Sequence, residues 1–439
     1  MLKNLKPTII ILFLFVFARS FIADSVYPVT ASYYKLLWFI FVIFFIWRSK
    51  EIKFNRVLTA LLILFFSSVI VSLTVSVNTY RTINFLIDLL VCYSIFMITL
   101  QFDEKDANAC RVIILLSLVI TLLRGGYQYF WGYSVLQEYI VQNNISLIKH
   151  PYLKEIMQTR RIVSFFPSPN LFAGYISMML LVCFGIMVGN ITQIKKIIIF
   201  IILFFTGLVM LFFTKSIGAL IGFLIGLLVF FIIAHKLKIA KRQKRKVFVF
   251  IGCFLICLLL IIAVVALLRL KTTTDSNISN SFFNRLYYWK SAINMIRDNF
   301  IFGVGGGNFG IIYPEYKYPQ ANETKFVHNS FLQIFAENGI FPFIVFILIT
   351  GHILSTIKYI RNNFVILGVF CAIVSFFVHN LLSYSFYILQ VSFLFWLLLG
   401  IYFYYQKKEI FILNPLQKIV FSMAISLLII YQFCDGLVF

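Results

Sequence analysis

The chain has 439 residues, 62% of them hydrophobic and only 12% charged, whereas soluble domains run nearer half apolar and a quarter charged. This composition excludes an ordinary soluble protein, so a single integral membrane domain over 1–439 is expected. Lys and Arg number 38 against 15 Asp and Glu, a formal charge of +23. In a chain this apolar the excess reads as cytoplasmic loop charge rather than as a nucleic-acid surface.

Apolar runs mark the predicted elements in chain order: 8–22, 33–47, 57–75, 83–100, 112–123, 171–188, 197–213, 217–234, 247–268, 340–357, 365–378, 382–404 and 419–433. At roughly 20 residues per crossing they predict an all-α polytopic fold of about 12–13 transmembrane helices. The first run is read as an anchoring span and not as a cleaved signal peptide. Counting Lys and Arg in alternate connections puts the basic set, including the run 236–246, on the cytoplasmic side, and with it the N-terminus. That run also has the character of a lipid-headgroup patch. Two long loops, 132–170 and 269–339, then fall on the outer face, and they are the polar segments large enough to build a site.

The odd cysteine count and the apolar setting of the cysteines argue against a disulfide framework. Cys253 and Cys257 lie one helical turn apart with no His or carboxylate beside them; they are read as packing residues, and no metal is expected. Asp88, a few residues inside a span, needs a partner at that depth, and Arg124 at the outer end of the next span is the expected one.

In the second loop Phe282, Leu286, Trp289, Ile293 and Ile296 recur at three and four residues, one stripe of an amphipathic helix. Arg285 borders that stripe. A guanidinium there suits a ligand with an anionic head and a greasy tail, and equally a phospholipid headgroup. Gly303-Val304-Gly305-Gly306-Gly307-Asn308 follows. Its glycines can aim N–H groups at an anion or form a plain turn, but a helix precedes them and no Gly-Lys-Ser/Thr ending follows, which argues against a nucleotide. His328-Asn329-Ser330 opens a short helix, with Asn329 or Ser330 as its N-cap and Gly339, after Glu337, as its stop. The first loop ends in Arg160-Arg161-Ile162-Val163-Ser164-Phe165-Phe166-Pro167-Ser168-Pro169-Asn170, which two prolines keep non-helical. Both arginines are thereby delivered to the outer interface. Of the outer histidines His150, His328 and His379, His328 is preferred as a base because its loop also supplies Arg285.

Three of these stretches together resemble the bacterial O-antigen ligase and O-antigen polymerase superfamily: Arg161 to Asn170, Asn284 to Phe309 with Arg285, Trp289 and the glycines, and His328 to Gly339 with Glu337. The resemblance implies transfer of a glycan from an undecaprenyl pyrophosphate carrier to a hydroxyl, in the bacterial cytoplasmic membrane, without metal or nucleotide cofactor. It implies that Arg161 and Arg285, with Arg160 beside them, hold the pyrophosphate and that His328 activates the acceptor, which favours inversion at the anomeric carbon. Partners would be the lipid-linked donor, a glycan or lipid-linked glycan acceptor, membrane lipid and other polysaccharide assembly proteins. Two departures stand out: Ser164 replaces a usual Gly, and Ser216-Ile217-Gly218 replaces a usual Ser-Arg-Gly, with Lys215 adjacent.

A repeat-unit polymerase is the leading expectation. A ligase that hands finished polymer to lipid A core or to a protein would use the same residues. A flippase of lipid-linked glycan would instead show ionisable residues in mid-membrane and repeat symmetry, for which Asp88 is the one clear candidate.

Overall fold

The computed structural model describes residues 7–49, 51–145, 154, 157–189, 194–237, 252, 277–360, 363–406, 410–412, 417, 422–423, 425–426 and 431. The helices, in chain order, are α1 (Pro7–Arg19), α2 (Pro28–Arg48), α3 (Arg56–Val71), α4 (Thr79–Thr99), α5 (Glu104–Tyr127), α6 (Tyr133–Gln142), α7 (Pro169–Gly189), α8 (Ile194–Phe213), α9 (Ile217–Lys236), α10 (Asn277–Asp298), α11 (Phe309–Tyr316), α12 (Ser330–Asn338), α13 (Ile340–Ser355), α14 (Phe364–Asn380) and α15 (Leu389–Gln406). Eight helical stretches among the described residues are long and apolar enough to cross a membrane, and three shorter apolar helices accompany them. They correspond to eleven of the predicted runs. The run 247–268, most of 419–433, most of the basic stretch 236–246 and His150 lie outside the described residues. The protein is an all-α polytopic membrane protein; a two-stranded antiparallel ribbon, β1 (Lys53–Asn55) with β2 (Ile410–Ile412), adds a minor exception.

Polar residues at the span boundaries explain where helices begin. The Asn55 side chain accepts from Leu58 N at the start of α3, Asn78 from Arg81 N at α4, and Asn363 from Val365 N and Ile366 N at α14. Asp103 and Asp106 form a reciprocal capping box at α5.

α7 is apolar on every side and buried from Leu171 to Val188, as a helix at the centre of a bundle must be. It packs against α14, α9 and α8. Glycines bring these helices close: a Cβ at Gly185 would stand 2.8 Å from the Gly368 Cα, and one at Gly222 2.7 Å from the Ser375 carbonyl oxygen. Small residues at such crossings are the usual means of close helix approach in lipid, where no hydrophobic drive pulls helices together. As a result, α7 and α9 begin, and α14 ends, around one point.

Two predicted boundaries shift. The run 382–404 is helical only from Leu389, because Asn380 Oδ1 accepts from Phe386 N at 2.9 Å and folds 381–388 into a turn that holds the 3-10 segment Ser385–Tyr387. The start of the first long loop is helical, since α5 continues through a π-helical turn at Gln128–Gly132 into α6. Asp88 also finds a different partner from the one expected. Lys35 Nζ lies 2.7 Å from Asp88 Oδ1 and 3.6 Å from Asp24, and Asp24 in turn pairs with the buried Arg19. Arg124 instead lies over the Tyr127 ring, 5.3 Å from its centroid, and 6.0 Å from that of Phe165.

Candidate functional site

The π-helical turn positions the first loop. Gln128 Oε1 accepts from Val163 N at 3.1 Å and Ser164 N at 2.9 Å, and the Tyr133 hydroxyl donates to the Arg161 carbonyl. Ser164 has φ 55°, a conformation that favours glycine, and its hydroxyl donates to the Thr121 carbonyl at 2.8 Å. Held in this way, Arg161 reaches across two helix boundaries: Nε donates to the Thr214 carbonyl at 2.9 Å and Nη2 to Asn170 Oδ1 at 3.1 Å. Arg160, by contrast, is exposed, with φ 47°.

The second loop forms its own apolar core around Tyr288, Ala292, Met295, Phe309 and Tyr313. α10 is one wall of it and carries Arg285. Within that loop the glycine turn does meet an anion, and the anion is the protein's own Glu337. Gly307 N donates to Glu337 Oε2 at 2.9 Å, and Phe309 N and Gln333 Nε2 donate to Oε1 at 3.0 and 3.2 Å. Gly303, Gly305 and Gly307 all have positive φ, and a Cβ at Gly303 would lie 2.4 Å from the Glu337 backbone. Burial pushes the Glu337 carboxyl up to about 7, against the lowering effect of these N–H donors. Asn308 Nδ2 donates to Ser76 Oγ and Thr82 Oγ1 at 2.9 and 3.1 Å and so ties the turn to α4.

Asn329 is the N-cap of α12, accepting from Phe331 N and Leu332 N, and Gly339 ends the helix at φ 80°. His328 stands just before the cap, half-buried, at φ 59°. Its ring stacks on Tyr288 at 5.7 Å and meets Tyr384 edge-on at 4.8 Å. Its Nδ1 has no hydrogen-bond partner among the described residues. Ser330 stitches this segment to the α14–α15 turn, its hydroxyl lying 2.7 Å from Asn380 Oδ1 and its N–H donating to the Ser383 carbonyl at 3.1 Å.

These elements bring Arg161, Arg285, His328, Tyr288 and Tyr384 into one electrostatic neighbourhood. Burial first, and the like charge of Arg161 second, push the Arg285 guanidinium below its ordinary value. Burial, aided by Arg285, holds the His328 imidazole down at about 3. Arg285 has no carboxylate partner among the described residues. Trp289 lies half-buried on the same helix, its indole Nε1 without a partner. Of the five non-glycine residues with positive φ among the described residues, Arg160, Ser164, Lys215 and His328 belong to the segments that carry or border this cluster; such backbone costs on the order of 1–3 kcal/mol each and persists where surrounding structure over-determines it.

Sequence reasoning set His379 aside as a residue of a short turn. It is instead buried in the last turn of α14, and Arg285 acts on it through space. The signal that could have found it is a histidine at the end of an apolar helix facing glycines of other helices, and that pairing is not visible along one chain.

Residues 201–347 match the family model described as O-Antigen ligase, which supports placing the chain in the O-antigen ligase and polymerase superfamily. The comparison with curated proteins finds no match.

Proposed function

We propose that the protein is a membrane glycosyltransferase that moves a glycan from an undecaprenyl pyrophosphate carrier to a hydroxyl acceptor, joining repeat units into a surface polysaccharide. The observation that carries the reading is Arg285: a half-buried guanidinium facing a second guanidinium, with no carboxylate partner among the described residues, beside a half-buried imidazole. Positive charge left without a protein counter-charge is stabilised by a bound anion, and a pyrophosphate is the anion the family suggests.

In this reading the acceptor oxygen forms a bond to the anomeric carbon, and the bond from that carbon to the pyrophosphate oxygen breaks. The electron pair leaves on the pyrophosphate, where the arginines meet the developing charge through planar, paired donors. The acceptor proton passes to His328. With base and leaving group on opposite faces of the carbon, the product is inverted. Burial is the larger cause of the low His328 value and Arg285 the smaller; bound pyrophosphate offsets the Arg285 charge and so raises the imidazole, which couples basicity to donor binding. The reading calls for no metal or nucleotide. It places the site on the outer face of the bacterial cytoplasmic membrane with the N-terminus inside, and it brings the chain into contact with membrane lipid and with other polysaccharide assembly proteins.

Purified protein incubated with one lipid-linked repeat unit tests it. A ladder of lengthening products is expected. A single product that requires lipid A core or a protein acceptor would make it a ligase. Glycan carried across vesicles without any new glycosidic bond, unaffected by His328→Ala, would make it a flippase.

A further inference from the structure

Resting on the anion reading above, we propose that His379 is a further binding residue of the site, its imidazole hydrogen-bonding the phosphate esterified to the lipid where α7 and α9 begin. The placement is set by packing. A Cβ at Gly174 would stand 2.8 Å from both Cδ2 and Nε2 of His379, and one at Gly218 would stand 3.5 Å from Nδ1. The ring is therefore seated between two glycines, one near the start of α7 and one in the first turn of α9.

His379 is 1% exposed, and neither ring nitrogen completes a hydrogen bond among the described residues, although the ring faces the backbones of Asn170 and Gly218. Two unsatisfied buried nitrogens are costly unless a ligand meets them. Both α7 and α9 are long helices, of 21 and 20 residues, and their N-terminal ends present partial positive charge. Ser216 at the head of α9 makes no side-chain cap. Arg161 bridges the same two helix starts through Thr214 and Asn170, and Arg285 adds its field. Arg285 is the formal charge that acts on His379, and Arg161 binds the two helix starts beside it; both are positive, which selects an anion.

The two phosphates can be told apart by which elements meet them. His379 stands at the C-terminal end of the apolar helix α14, among the bundle helices, whereas Arg285 and His328 come from the second loop. The lipid-side phosphate accordingly meets His379, and the sugar-side phosphate meets the loop.

The test uses the full-length protein in detergent, with inorganic pyrophosphate as probe followed by calorimetry, and with lipid-linked repeat unit for kinetics. His379→Ala should weaken pyrophosphate binding about tenfold, the effect of one hydrogen bond to a charged group, and should raise the donor KM by a similar factor with a smaller change in kcat. His379→Gln, which keeps an amide donor of similar reach, should recover to within about threefold. Where His379→Ala does not fold, His379→Phe keeps the ring volume, removes both nitrogens and carries the test. Pyrophosphate affinity in His379→Phe equal to that of the wild type would overturn this inference while the anion site stood, provided Arg285→Ala lost binding in parallel. No pyrophosphate binding by the wild type, or none lost in Arg285→Ala, would overturn the anion reading and this inference together.

Discussion

Arg19 is buried and Arg285 half-buried in one chain, and their surroundings differ in sign. Arg19 sits in a quartet with Asp24, Lys35 and Asp88, two cations against two anions linked in sequence by ion pairs. Arg285 faces Arg161, two tyrosines and two imidazoles. In a low-dielectric interior a balanced cluster satisfies itself, while an unbalanced one is satisfied from outside. The comparison teaches that a buried charge marks a ligand site by what it lacks. It also bears on transport: the quartet supplies ionisable residues among the spans, but they are spent on one another, which is how a structural link between α1, α2 and α4 behaves.

The sharpest way to break this contrast is to change the unbalanced side and watch chemistry. His328→Ala should fold and bind donor yet lose transfer by about 10²–10⁴-fold, measured as turnover at saturating donor. Normal transfer in His328→Ala together with none in His379→Ala would move the base to α14. Arg285→Lys keeps the charge but not the planar fork, and a loss of about 10²–10³-fold in kcat is expected; full activity there would leave Arg285 as a simple point charge.

The balanced side should respond in stability instead. Asp88→Ala leaves Arg19 and Lys35 to share Asp24 alone and should cost about 3–5 kcal/mol, read from thermal unfolding in detergent, whereas the double change Lys35→Met with Asp88→Leu should recover most of it. Transfer per folded molecule should stay near normal in that double variant. A dead but well-folded double variant would give the quartet a part in catalysis and erase the distinction.

A smaller effect is expected at the glycine turn. Glu337→Gln points an amide donor at the Gly307 or Phe309 N–H, and one unsatisfied buried donor costs about 1–3 kcal/mol.

Acid adds a final measurement. The His328 imidazole is held at about 3 in the folded protein, below the ordinary 6.5, so folding favours its neutral form. Its contribution to stability is complete above pH 6.5 and is lost as pH falls from there toward 3. His328→Gln should therefore show a shallower acid loss of stability across that window than the wild type, and saturating pyrophosphate, by raising the imidazole, should flatten the wild-type curve.

The eight crossing stretches and three shorter apolar helices among the described residues were legible along the chain because hydropathy is local: a run of apolar side chains seeks the bilayer or the bundle whatever its neighbours do. The cap at Asn329 and the stop at Gly339 were legible for the same reason, since a helix end is satisfied within a few residues. Even the left-handed turn at Ser164 left a trace, as a position where glycine is the usual choice.

What the sequence determined by itself, then, is the all-α polytopic class, the positions of most apolar helices and the residue types of the two long loops, all set by interactions within about one helix length. Only the tertiary structure decided who meets whom. Asp88 turned to Lys35 rather than Arg124, the glycine turn turned to Glu337, and His379 came to stand between Gly174 and Gly218. Each of these depends on how close and at what register two distant helices pack, and that is fixed by small residues whose identity carries almost no signal until their partners are in place.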